Sequence, residues 1–132
     1  MVTLSYVNIF ATDIVALSDF YAALFGFAEI EVMRSPIFRG LDTGGSSLGF
    51  NAPDAYGLLG LADHAQTHGV KFLLTFDVDS TADVDRLVPV ALGLGAVLVK
   101  SQYTTYYNWY QAVLTDPEGN VFRINHKLPN KE

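Results

Sequence analysis

Residues 6–27 read YVNIFATDIVALSDFYAALFGF, and the parsing of this stretch decides the fold. From Leu4 to Phe10 the chain alternates: Val7 and Ile9 fall on one face, Tyr6, Asn8 and Phe10 on the other, the period-two pattern of a strand. Thr12 or Asp13 can then cap a helix whose apolar residues, Ile14, Leu17, Phe20, Tyr21 and Leu24, follow at helical spacing. Gly26 is placed to end that helix in left-handed backbone. A strand therefore runs directly into an amphipathic helix.

Outward from this unit, three short strands are expected near Ala28–Met33, Phe38–Asp42 and Ser46–Asn51, punctuated by Ser35-Pro36 and Gly44-Gly45. The second half repeats the plan. Phe72–Val78 reads as a strand, and Ser80-Thr81-Ala82-Asp83 as a capping box ahead of a helix. Val84, Leu87, Val90, Ala91 and Leu94 each lie 70 residues beyond the apolar set of the first helix. Strands follow around Ala96–Ser101, Trp109–Thr115 and Asn120–His126, the last two joined by the turn Asp116-Pro117-Glu118-Gly119. The expected fold class is α+β, two βαβββ modules in one domain spanning residues 1–132. The modules run from about 1 to 52 and from about 70 to 132. Between them residues 53–69 form a linker, a lid or a short helix.

At 132 residues the chain fits one domain. Half of it is hydrophobic and 17% is charged, which supplies a core and excludes a disordered chain. Fourteen acidic residues against eight basic ones give a formal charge of -6, which repels nucleic acid and anionic lipid surfaces and suits a cationic or neutral small molecule. Without cysteine there is no disulfide, no thiolate zinc site and no cysteine nucleophile. No apolar run approaches the roughly 20 residues that cross a bilayer, and the N-terminus lacks the pattern of a secretory signal, so a cytoplasmic protein is expected.

Three local features, Ala11-Thr12-Asp13-Ile14 leading to Asp19-Phe20-Tyr21, Leu24-Phe25-Gly26-Phe27, and Asp116-Pro117-Glu118-Gly119-Asn120, resemble the vicinal oxygen chelate superfamily of glyoxalases, bleomycin-resistance proteins and extradiol dioxygenases. The likeness covers nearly the whole chain. It implies that each module curls its mixed sheet into a half-barrel with the helix outside. Val7, Ile9, Leu48, Phe50, Leu74, Phe76, Phe122 and Ile124 then face helices, and Tyr6, Asn8, Ser47, Gly49, Asn51, Leu73, Thr75, Asp77, Arg123 and Asn125 line a cleft. A polar concave face suits a small ligand, although the same alternation also fits a face turned to solvent.

Metal-dependent members of the family present His, Gln or Glu from the first and last strands of each module. Carried onto this chain, those places are Tyr6, Gly49, Leu73 and Arg123. Gly49 and Leu73 have no donor, and Arg123 puts a fixed positive charge where a cation would sit. His64 and His68 stand i, i+4 in the linker but lack a completing carboxylate, and His126 reads as a surface residue after the last strand. No metal and no cofactor are expected.

The run Tyr103-Thr104-Thr105-Tyr106-Tyr107-Asn108-Trp109-Tyr110 contains the single tryptophan and can serve as a ligand wall, a dimer surface or strand packing. Arg123 can anchor a carboxylate or phosphate, or pair internally with Asp77 or another acid. The candidate ligand-binding set is Tyr6, Asn8, Asn51, Thr75, Asp77, Tyr107, Trp109 and Arg123. The expected function is metal-independent small-molecule binding similar to the bleomycin-resistance proteins. The alternative is an enzyme (isomerase, lyase or dioxygenase-like) that acts on a small organic substrate without the usual ligands. The resemblance also implies a homodimer.

Overall fold

A computed structural model describes residues 1–65 and 68–129. The chain divides into two compact units, Met1–His68 and Gly69–Glu132. In the first, β1 (Tyr6–Phe10) leads to α1 (Ile14–Phe25), then β2 (Ala28–Glu29), β3 (Phe38–Asp42), β4 (Ser47–Asn51) and a short α2 (Asp54–Leu58). In the second, β5 (Leu74–Asp77) leads to α3 (Thr81–Gly93), then β6 (Val97–Thr104), β7 (Trp109–Thr115) and β8 (Val121–Lys127). Each unit is an open four-stranded mixed sheet, ordered β1-β4-β3-β2 and β5-β8-β7-β6, with the one parallel pair at the start. This is the expected α+β pair of βαβββ modules. No helix among the described residues is long and apolar enough to cross a membrane.

The helix ends follow from their capping residues. Asp13 accepts the Ala16 N–H at 3.0 Å, and Gly26, at φ 75°, returns its N–H to the Ala22 carbonyl. Ser80 likewise accepts the Asp83 N–H at 3.1 Å. The capping box closes on one side only, because the Asp83 carboxylate turns to Arg86, 3.3 Å away. Leu17, Phe20, Tyr21 and Leu24 bury one face of α1, with the Tyr21 ring stacked 5.9 Å from Phe50. Burying each such large side chain stabilises the fold by roughly 1.5–3 kcal/mol.

Three expectations need correction. The buried residues of α3 are Val84, Leu87, Val88 and Ala91, whereas Val90 and Leu94 are about 40% exposed. Counted from the caps Asp13 and Ser80 the modules repeat at 67 residues, not 70, which aligns Leu17, Phe20, Tyr21 and Leu24 with those four. The strand expected over Ala28–Met33 pairs for two residues only. Glu31–Met33 then turns as a 3-10 helix, tied back by Arg34, whose Nε and Nη2 donate to both Glu29 oxygens at 2.8 and 2.6 Å. That hydrogen-bonded guanidinium holds the Glu29 carboxyl below its ordinary pKa. Finally, His126, expected at the surface, is half-buried within β8, in keeping with the strand expected over Asn120–His126, with Nδ1 2.9 Å from the Val78 carbonyl oxygen. In the linker His64 closes a second 3-10 turn, Ala62–His64, while residues 66 and 67, needed for a helix onward to His68, lie outside the described residues.

Candidate functional site

The expected facing holds for the core rows: Ile9, Leu48, Phe50, Leu74, Phe122 and Ile124 are buried, with Val7 and Phe76 partly so. Register then places the alternate rows. In the first module Tyr6 pairs with Ser47, Asn8 with Gly49 and Phe10 with Asn51, while Gly40 of β3 lies opposite Gly49. The Asn8 Nδ2 donates to Asn51 Oδ1 at 2.7 Å. Phe38, two residues from Gly40 on the same face, covers the glycines. A Cβ at position 49 would lie 2.9 Å from its ring and 2.7 Å from Asn8 Nδ2, and one at position 40 would lie 3.2 Å from the ring. Tyr6 packs edge-on to Phe38 at 6.2 Å. Only residues without a side chain leave room for that ring.

In the second module Thr75 pairs with Arg123 and Asp77 with Asn125, and β7 lays Val113, Gln111 and Trp109 beside Arg123, Asn125 and Lys127. The guanidinium is the hub. Its Nε donates to Thr75 Oγ1 at 2.7 Å, and its Nη1 donates to the Tyr107 hydroxyl and to Gln111 Oε1, both at 3.0 Å. Gln111, almost fully buried, fixes the far side by donating from Nε2 to the Tyr103 hydroxyl at 2.7 Å. The Trp109 ring lies 5.1 Å from the Arg123 carbon and 4.8 Å from Lys127 Nζ. Tyr107 stands edge-on to Trp109 at 5.0 Å.

Local backbone puts these rings in place. Residues 105–108 turn between β6 and β7, with the Asn108 N–H bonded to the Thr105 carbonyl and the Trp109 N–H to Thr105 Oγ1. Asn108 takes φ 65°, a left-handed conformation that asparagine tolerates better than most residues. Register shifts between Leu98 and Tyr103 bring Tyr103 opposite Gln111. The aromatic run is thereby divided. Tyr103, Tyr107 and Trp109 join Arg123. Tyr110 turns the other way and donates to Asp85 Oδ1 at 2.6 Å, a bond that raises its pKa above the ordinary phenol value, with burial adding to the effect. Tyr106 is wholly exposed.

Of the eight expected ligand-binding residues, the structure brings Thr75, Tyr107, Trp109 and Arg123 into one cluster. Asp77 stands beside it, accepting from Asn125 Nδ2 at 2.8 Å and facing Lys127 Nζ at 3.3 Å. Of the alternatives for Arg123, pairing with Asp77 is not the one formed: Lys127 faces that carboxylate. Asn125 is fully buried and its Oδ1 has no hydrogen-bond partner. Tyr6, Asn8 and Asn51 form a separate group on the first module. Gln111 and Tyr103 were not in the expected set. The signal for Gln111 was its place as a polar residue in the row opposite Asn125, readable once the Asp116–Gly119 turn fixes the hairpin register.

Of the places carried over for metal ligands, Tyr6 and Leu73 also stand 67 residues apart, while the parallel register sets Asn8 beside Gly49 and Thr75 beside Arg123. Tyr6 sits beside Ser47 instead, and Leu73 precedes β5. An amide, a glycine, a hydroxyl and a guanidinium are not a donor set for a divalent transition metal. Among the described residues no three His, Asp or Glu side chains are grouped closely enough to hold an ion. The residues do not fit the group. A recess of about 260 Å³ lined by Val70, Lys71, Phe72 and Asn120 does not include the Arg123 cluster.

Comparison with known proteins places this architecture. The glyoxalase-like domain model matches residues 6–125. A search of curated proteins finds no match. The crystal structure of a glyoxalase/bleomycin resistance protein/dioxygenase family enzyme from Burkholderia phytofirmans PsJN is 64% identical, covers 96% of this chain and 100% of its own, and superposes with a TM-score of 0.95. A glyoxalase/bleomycin resistance protein from Albidiferax ferrireducens T118 matches at 20% identity over 95% of this chain and 98% of its own, with a TM-score of 0.72. Lactoylglutathione lyase from Agrobacterium tumefaciens matches at 19% over 94% and 92%, with a TM-score of 0.71. The last two share the fold. With a family model across nearly its whole length and a relative of majority identity, this chain belongs to the glyoxalase-like domain family of the vicinal oxygen chelate superfamily.

Proposed function

We propose that this protein is a metal-independent small-molecule binder that holds its ligand on the polar face of the second module. One observation carries the reading. At a place where metal-dependent relatives put a ligand side chain, Arg123 is held by three neutral partners and has no carboxylate within salt-bridge distance among the described residues. A guanidinium there repels a cation and offers directed hydrogen bonds to an organic group. The aromatic walls, Trp109 and Tyr107, supply apolar area at low conformational entropy cost. A homodimer in a cytoplasmic setting completes this reading, checked by sedimentation velocity and cell fractionation.

The deciding experiment combines bound-metal analysis with ligand-induced stabilisation. Protein purified from metal-supplemented medium is expected to carry far less than one equivalent of transition metal. A ligand at one hundred times its dissociation constant stabilises a one-site protein by about 2.7 kcal/mol, readily seen in the melting temperature. Near-stoichiometric metal would sink the proposal. A second reading, a metal-free enzyme, is favoured by the 64% identical Burkholderia protein, which is described as a family enzyme. Asn8, Tyr6, Asp77 and Arg123 are then the polar tools, and unchanged turnover in Arg123→Gln and Tyr6→Phe would remove those two from the mechanism.

A further inference from the structure

We infer that the Arg123 cluster is an anion site, and that its ligand is a carboxylate carried on a flat apolar group. The inference rests on the small-molecule reading above and replaces the cationic or neutral ligand suggested by overall charge.

It follows from counting donors and acceptors. A guanidinium has five N–H donors. Three are used, one on Nε and two on Nη1, so both N–H groups of Nη2 remain. The hydroxyls around it are engaged only as acceptors: Thr75 Oγ1 and the Tyr107 hydroxyl receive from Arg123, and the Tyr103 hydroxyl receives from Gln111. Each keeps its own O–H to donate. The nearby side-chain acceptors each already have a partner within the cluster or are buried. Gln111 Oε1 is taken by Arg123, Asp77 by Lys127 and Asn125, and Asn125 Oδ1 is buried. Arg123, Lys127 and Asp77 together leave one net positive charge, in a protein whose formal charge is -6. A patch with surplus donors and a surplus cation is complementary to an oxyanion.

The shape of the cluster selects the rest of the ligand. Neutral partners fill Nε and Nη1, so they hold the guanidinium plane in place before any ligand arrives, and the anion meets the Nη2 end. Tyr107, 40% exposed, and the half-buried Trp109 border the cluster as two rings set at 82° to one another. Such a corner accepts the edge or face of a planar group attached to the carboxylate.

Benzoate, benzamide and benzamidine share a ring and differ in charge, and the single Trp109 reports on their binding by fluorescence. Benzoate is expected to bind at least about tenfold more tightly than the other two, the size of one charge-assisted hydrogen bond. Arg123→Gln should erase that preference, Arg123→Lys should retain part of it, and Tyr107→Phe should weaken benzoate alone by a few-fold. Inorganic phosphate should compete with benzoate but bind less tightly, because it lacks the ring. Equal binding of benzoate and benzamide, a preference for benzamidine, no response to any of the three, or a preference that survives Arg123→Gln would each overturn the inference. Metal analysis of the same sample separates the failures. Metal-free protein that binds benzamidine keeps the small-molecule reading and loses the anion; stoichiometric metal removes the reading beneath both. Unchanged melting temperatures of the variants exclude unfolding as the cause.

Discussion

The two modules share one backbone plan and treat the sheet face opposite the helix in contrary ways. In the first, paired glycines at positions 40 and 49 admit the Phe38 ring, and Asn8 and Asn51 bond to each other. In the second, the residue corresponding to Gly49 is Arg123, and the face is assembled around its charge. One face is filled from within by an aromatic ring; the other keeps hydrogen-bond donors in reserve. A repeated scaffold therefore does not repeat its site. The difference between the two faces centres on which side chain occupies one position of the last strand in each module.

The contrast extends to the hairpin turns, where the largest effect is expected. Asp116, 2% exposed, accepts from the Glu118 N–H, the Asn120 N–H and the Asn120 side-chain amide, all near 3 Å. Its counterpart before the β3–β4 turn, Asp42, is exposed and accepts from Gly44 N–H. Removing a buried charged acceptor strands its donors, whereas water replaces an exposed one. Asp116→Ala should cost about 3 kcal/mol in urea unfolding and Asp42→Ala under about 0.5 kcal/mol. Similar losses would dissolve the distinction between the turns.

Next in size is a test of the filled face. Gly49→Ala puts a methyl 2.9 Å from the Phe38 ring and 2.7 Å from Asn8 Nδ2. Overpacking of this kind should destabilise by about 2 kcal/mol, and Phe38→Leu in the same chain should recover part of the loss. Arg123→Gln, at the corresponding position on a face that is not overpacked, should stay within about 1 kcal/mol while changing ligand binding. A harmless Gly49→Ala would mean that the ring shifts freely and that the first face is open as well.

The sequence discloses local features well and long-range pairing poorly. β3 and β7 have the expected limits, because Pro36, the paired glycines and the Asp116–Gly119 turn punctuate them, and both helices start at side chains that cap visibly. The strand expected over Ala28–Met33 fails because apolar content alone does not reveal that Arg34 folds back onto Glu29. The 70-residue offset matched five apolar residues by spacing, but Val90 and Leu94 are apolar and exposed, which only the cap positions correct. Within the site, alternation separates Arg123, Thr75 and Trp109 from the core rows. It does not give the parallel partner of a strand more than forty residues away, so Asn8 and Thr75 beside Gly49 and Arg123 emerge only from register. Phe38 over two glycines was missed for the same reason: adjacency across strands is not written in one strand's pattern.

The smallest effect tests the division of the aromatic run. Tyr107 lies with Arg123, whereas Tyr110 bonds to Asp85, and that bond, the first cause of its raised pKa, stabilises the protonated phenol. A group whose pKa is higher in the folded state contributes stability that is complete below its unfolded value, near 10, and is lost as pH rises through the folded value. The stability difference between the parent and Tyr110→Phe should therefore be constant from pH 7 to about 9 and shrink above about 10. In the parent, ultraviolet titration of the seven tyrosines should show one late component, missing from Tyr110→Phe and moved toward the ordinary range in Asp85→Asn. If the late component persists in Tyr110→Phe, the phenol that faces an acid lies elsewhere, and with it goes the assignment of Tyr110 to the helix side of a sheet whose other face carries Arg123.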